Sequence, residues 1–111
     1  MIAVRVLEYL DRSGRSPWRR WFNDLDAHAA AKIGTALYRL GQGNFSTVQG
    51  VGSGVFEAKV DFGPGYRIYF GKDGETVVIL LGGSTKKRQS AAIKAARKAW
   101  ADYKQRSKGA P

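Results

Sequence analysis

Val55-Phe56-Glu57-Ala58-Lys59-Val60-Asp61-Phe62-Gly63-Pro64-Gly65-Tyr66-Arg67-Ile68-Tyr69-Phe70 is the stretch on which the fold turns. Phe56, Ala58, Val60 and Phe62 alternate with Glu57, Lys59 and Asp61, the period of a strand with one apolar face. Gly63-Pro64-Gly65 interrupts the pattern as a tight turn. Tyr66, Ile68 and Phe70 then resume it around Arg67 and Tyr69. A second turn at Gly71-Lys72-Asp73-Gly74 leads to a third, more fully buried strand over residues 75–81. The three segments predict an antiparallel meander. Pairing Phe62 with Tyr66 would set Asp61 opposite Arg67 and Lys59 opposite Tyr69, on a solvent face away from the core.

Upstream, Ile2, Val4 and Val6 alternate with Ala3 and Arg5, predicting an opening strand over residues 2–9. Ser16-Pro17 reads as an N-cap followed by proline at the first helical position. Trp18, Trp21, Phe22 and Leu25 form the apolar stripe of a short helix, and the tryptophans read as core. Asp26 can cap a second helix, lined by Ala30, Ile33, Leu37 and Leu40 and ended by Gly41 and Gly43. Residues 41–54 contain five glycines and no phosphate-loop pattern, which predicts a mobile connector.

Downstream of Gly82-Gly83, a last helix is predicted from about Ser84 or Ser90 to Tyr103. Ile93, Ala96, Trp100 and Tyr103 face the core, while Lys94, Arg97, Lys98 and Asp102 face solvent. The order strand-helix-helix-strand-strand-strand-helix predicts an α+β fold, with helices packed on one side of a small twisted antiparallel sheet. A single domain over residues 1–107 and a short basic tail, 108–111, account for the 111 residues.

Composition narrows the chemistry. The chain has no cysteine and one histidine, His28, which removes disulfides, thiol nucleophiles and Cys- or His-based metal clusters. No cofactor motif is present. The longest apolar run, Val77–Leu81, is far short of the roughly 20 residues that span a bilayer, and residues 1–10 lack a signal-peptide pattern. A cytoplasmic protein without a membrane partner is expected.

Nineteen Lys and Arg stand against nine Asp and Glu, a net charge of +10. The segment from Ser84 to Pro111 alone carries nine basic residues and one acid, a net +8. Such a block favours a contact surface for phosphates. Lys86, Lys87 and Arg88 fall where a helix dipole disfavours cations, a local conflict that a bound phosphate would resolve. Arg67 and Tyr69 add a phosphate-gripping and base-stacking pair beside Lys59 and Glu57. Cleavage of RNA suits this set, because the ribose 2′-hydroxyl supplies the nucleophile. The protein then orients the strand, Arg clamps the phosphate, and Lys, Tyr or Glu carries protons.

The segment from Gly54 to Phe70, the run Leu80-Leu81-Gly82-Gly83-Ser84-Thr85-Lys86-Lys87-Arg88-Gln89, and Trp100 with Tyr103 resemble the addiction module killer proteins. These are a HigB-like branch of the RelE/ParE toxin superfamily. The opening strand, Ser16-Pro17-Trp18 and Trp21-Phe22 extend the resemblance over nearly the whole chain. It implies a RelE-like microfold and the toxin of a type II toxin–antitoxin system. The implied activity is that of a metal-free endoribonuclease, an mRNA interferase that cleaves messenger RNA, usually on the ribosome. The implied partners are mRNA, the ribosome and a helix-turn-helix, HigA-like antitoxin, through which alone operator DNA is reached. By the same resemblance Arg67 stabilises the phosphate. Lys86, with Lys87 or Arg88, follows the final strand; Lys59 stands on the preceding strand, and Tyr69 contacts RNA. Some relatives carry a histidine near the C-terminal site; this chain has none there, so the general acid and base stay open. Two alternatives remain: a ParE-like gyrase-inhibiting toxin of the same fold, and a non-catalytic RNA-binding regulatory protein.

Overall fold

The computed structural model describes residues 3–108. Five strands, β1 (Arg5–Glu8), β2 (Val48–Gly50), β3 (Val55–Val60), β4 (Tyr66–Lys72) and β5 (Val77–Thr85), form one sheet in the order β1-β5-β4-β3-β2. Three helices, α1 (Pro17–Asn23), α2 (Ala27–Gly41) and α3 (Gln89–Lys108), complete the expected α+β, RelE-like architecture. Both predicted caps form. The Ser16 hydroxyl accepts from Arg19 N–H at 3.0 Å, and the Asp26 carboxylate accepts from Ala29 N–H at 2.9 Å. Ile2 and residues 109–111 of the predicted tail lie outside the described residues.

The meander is antiparallel, but β1 joins it parallel to β5, from Arg5 opposite Val77 to Glu8 opposite Leu80. The sheet is therefore mixed rather than wholly antiparallel. The α1–α2 connection leads to β2 at the far edge, and the successive reversals through β3 and β4 bring β5 in beside β1 running the same way. Part of the predicted 41–54 connector also pairs: β2 runs antiparallel to β3, with Val48 opposite Ala58. Three residues are too few to show a period.

Two cores share the sheet. On one face Trp18, Ile33 and Leu40 of α1 and α2 pack on Ala58, Ile68, Phe70, Val78 and Leu80. On the other, Ala96 and Trp100 of α3 pack on Val55, Tyr69, Ile79 and Leu81. Successive residues of β4 and β5 point to opposite faces, and both sets are apolar. α1 and α2 thus share one side as expected, while α3 covers the other instead of joining them. The consequence is that the face read as solvent-exposed is largely roofed.

The strand limits also move. Gly82 and Gly83, predicted as a break, lie within β5, which continues through Ser84-Thr85. Gly83 is required by packing: a Cβ there would overlap the Trp21 indole, with Cδ2 only 2.6 Å away. Lys86–Arg88 then form a single 3-10 turn, and α3 begins at Gln89.

Asp102, expected to face solvent, ties α3 to the end of β1. It accepts from the Tyr9 hydroxyl at 2.6 Å and the Arg12 Nε at 3.1 Å, and pairs with Arg106 at 2.9 Å. The Tyr9 hydrogen bond foremost, with Arg106 and Arg12, holds its carboxyl below the usual aspartate value of 3.8. The folded state therefore favours the ionised form. This stabilisation is full above pH 3.8 and is lost as pH falls through the lower folded value. Asp102→Asn is expected to flatten the acid limb of the stability–pH curve, measured by urea unfolding between about pH 5 and pH 2. An unchanged limb would remove Asp102 from the acid response.

Candidate functional site

The register of β3 and β4 decides which side chains meet. Val60, not Phe62, is opposite Tyr66, because residues 61–65 make a longer turn closed by Gly65 N–H donating to Phe62 C=O at 2.9 Å. Lys59 therefore stands opposite Arg67, and Glu57 opposite Tyr69. The expected Asp61–Arg67 pair does not form, since Asp61 lies beyond the strand. A slip of two residues leaves the faces unchanged.

Arg67 is the rigid centre of this group. It is only 8 % exposed, and its guanidinium NH1 donates to Tyr66 C=O at 3.1 Å. Its Nε lies 3.5 Å from a Glu57 carboxylate oxygen, in ion-pair range but without a hydrogen bond, so this buried donor is left unpaired. Glu57 itself is fully buried. It accepts from Gln49 Nε2 at 3.2 Å and from Gln89 Nε2 at 2.7 Å. Burial of a charged pair is tolerated only with such additional hydrogen bonds. The pair fixes the guanidinium on the sheet before any ligand arrives.

Lys86 approaches from the far end of β5. Its backbone N–H donates to Gly65 C=O at 2.9 Å. A Cβ built on Gly65 would stand 3.5 Å from Lys86 Cβ and 3.7 Å from Arg67 NH1. Lys86 and the Arg67 guanidinium thus flank the same turn residue. Ser84, two residues earlier, is opposite Arg67. The structure brings Arg67, Lys59 and Lys86 to one end of the β3–β4 hairpin, with Lys87 and Arg88 on the adjoining 3-10 turn. Lys59, Lys86, Lys87 and Arg88 are exposed, and none makes an ion pair among the described residues. Lys86–Arg88 form the turn that runs directly into α3, so these cations stand at the positive end of its dipole.

Tyr69 does not match its predicted part. Its ring is fully buried beneath α3, so it offers no face to a base. Its hydroxyl shares a 3.1 Å hydrogen bond with Ser84. Burial pushes its pKa above the ordinary tyrosine value of 10.0, and Glu57 adds to the rise, against opposing contributions from Ser84 and Arg67. A hydroxyl held protonated in this way cannot serve as a base near neutral pH. Its role here is to brace the strand beside Arg67.

Gln49 and Gln89 complete the site, and Glu57, expected on the same face as Arg67 and Lys59, is there but buried rather than solvent-exposed. Glu57 is read as a surface residue because it alternates with apolar neighbours, and nothing local marks either glutamine. Much of the remaining C-terminal charge is spent on the fold. Arg97 donates to Val51 C=O, Arg106 to Leu10 C=O, and Lys104 lies 5.8 Å from the Trp100 ring centroid.

A buried guanidinium flanked by these exposed cations can hold a phosphodiester and neutralise charge that develops on it. The model of the phage-derived Gp49-like protein family (DUF891) matches residues 20–105. A Haemophilus influenzae protein, described as uncharacterized, is 40 % identical over 78 residues, spanning 69 % of this chain and 79 % of its own length. The match over most of the chain, on a small five-stranded α+β fold, shows that this protein belongs to the Gp49-like family, a RelE/HigB-like toxin family.

Proposed function

We propose that the protein is the toxin of a type II toxin–antitoxin system and acts as an endoribonuclease on messenger RNA at the ribosome. Family membership supports the toxin role. The single observation that favours RNA chemistry is the pre-fixed Arg67, 8 % exposed, beside the exposed cations Lys59, Lys86, Lys87 and Arg88. The 2′-hydroxyl attacks the adjacent phosphorus, the bond from phosphorus to the 5′-oxygen breaks, and a 2′,3′-cyclic phosphate and a 5′-hydroxyl result. Arg67 neutralises the charge that builds on the phosphate oxygens. Lys59 and Lys86, exposed beside it, are the groups placed to take the 2′ proton and return one to the leaving oxygen. Lys87 and Arg88 hold flanking phosphates as point charge and fork respectively. A cognate antitoxin of helix-turn-helix, HigA-like type neutralises the toxin in the cytoplasm.

Induction of the chain in cells followed by mapping of messenger RNA 5′ ends tests this reading. New ends bearing 5′-hydroxyls are expected within minutes. Lys86→Ala is expected to lower their yield by about 100-fold, the contribution of a positioned proton carrier. Intact messages accompanied by a DNA-damage response would favour the gyrase-directed alternative.

A further inference from the structure

Arg67 Nε is the only buried side-chain nitrogen or oxygen without a hydrogen-bond partner among the described residues. It lies 3.5 Å from Glu57 Oε1, so a charge-assisted bond close at hand is left just unmade. That same oxygen accepts instead from a neutral amide, Gln49 Nε2, at 3.2 Å. The other carboxylate oxygen accepts from Gln89 Nε2 at 2.7 Å. Two weaker donors hold the carboxylate while the stronger one stands beside it.

Sheet pairing accounts for the preference. Gln49 on β2 is directly opposite Glu57, whereas Arg67 on β4 is opposite Lys59, one pair farther along the same face. Gln49 therefore meets the carboxylate head-on, and Arg67 reaches it only along the diagonal. Of the two amides, Gln49 is the weaker anchor: it is exposed on a three-residue edge strand, while Gln89 opens the 20-residue α3. Glu57 is fully buried, so a carboxylate that loses one donor must find another within the protein.

We infer that Gln49 is a positioning residue for Arg67. Its amide occupies the Glu57 oxygen that Arg67 Nε would otherwise take. The guanidinium then stays bonded through NH1 to Tyr66 C=O, with NH1 3.7 Å from the place of a Cβ on Gly65, at the Lys86 end of the hairpin. Without that amide the carboxylate turns to the charged donor, and the guanidinium is drawn along the sheet away from the turn. On the RNA-directed reading, on which this rests, Arg67 meets the reacting phosphate at that turn only while Gln49 is engaged.

The full chain carrying Gln49→Leu, which removes the donor at similar size, and Gln49→Lys, which returns one, tests this. The Arg67 Nε–H signal in nitrogen-15 NMR reads the contact without any substrate. In Gln49→Leu it is expected to move downfield and to exchange about tenfold more slowly, the low end of what a hydrogen bond to a charged group is worth. Cleavage of messenger RNA is expected to fall about 10- to 100-fold, in kcat rather than KM, at an unchanged melting temperature. Gln49→Lys is expected to restore both signal and turnover. An unmoved Nε–H in Gln49→Leu would overturn the inference and leave Gln49 a brace of the sheet edge. A gained bond with undiminished cleavage would overturn it as well. A chain whose Nε–H responds but that cuts no message keeps the coupling of Gln49 to Arg67 and loses the nuclease; one that cuts messages with Nε–H unmoved in the variant does the reverse.

Discussion

Arg67→Ala is expected to abolish growth arrest and to reduce cleavage of messenger RNA by about 100- to 1,000-fold, the usual loss when one pre-organised donor is removed from a developing oxyanion. The same substitution strips Glu57 of its only ion-pair partner among the described residues while that carboxylate stays fully buried. Removing one member of a buried pair costs about 3–5 kcal/mol, so loss of activity in the single variant confounds chemistry with stability. Arg67→Met/Glu57→Gln separates them. The amide that replaces the Glu57 carboxylate would keep its volume, its oxygen would still accept from one of Gln49 and Gln89, the other would have to turn its own Oε1 toward the new NH2, and no charge would remain unpaired. Urea unfolding near the parental midpoint with cleavage still absent assigns the loss to the guanidinium. A folded double variant with full toxicity would remove Arg67 from the reaction.

Gly83→Ala should produce a large loss of stability from a single added methyl group. The new carbon would meet the Trp21 indole rather than the end of a flexible chain, with Cδ2 at 2.6 Å. That ring is braced on its other contacts by Trp18 at 5.3 Å and Tyr66 at 6.2 Å between centroids. Relief requires either β5 or α1 to move, and overpacking of this kind costs about 3 kcal/mol. For a domain of this size that lowers the melting temperature by on the order of 10–20 °C. Trp21→Leu placed on Gly83→Ala should recover part of the loss, a coupling that calorimetry reads directly. A melting temperature unchanged by Gly83→Ala would show that the indole has somewhere else to go.

The contrast between Gly83 and the 55–70 segment shows what local sequence carries. Alternation in β3 and β4 is a property of neighbours, so strand identity and the apolar face at Ala58, Val60, Ile68 and Phe70 were legible. The side of each residue survived as well, because the two-residue slip in register preserves it. Pair partners did not survive, since the turn over 61–65 takes up two residues that alternation assigns to a strand. Gly83 reads as punctuation because a glycine's reason is visible only in the ring that covers it. Glu57 and Tyr69 read as solvent-facing because α3, which roofs them, lies more than thirty residues away in the chain from Glu57. The parallel docking of β1 is equally distant information. Lys59, Arg67 and Lys86 could be named from charge, turn position and resemblance; their convergence came from pairing of β3, β4 and β5.

Pairing of the first strand with the last sets the order in which the molecule matures. Arg5–Glu8 has no neighbour in the sheet until Val77–Leu80 has been synthesised and freed, and α3 must follow before the second core closes. Such distant contacts fold slowly because loop-closure entropy is lost before they are rewarded. During translation the chain grows at about 5–20 residues per second, with Arg67 emerging before Lys86 and before the helix that buries Glu57. The Arg67–Glu57 pair and the cations that follow β5 are therefore assembled only once the chain through α3 has emerged.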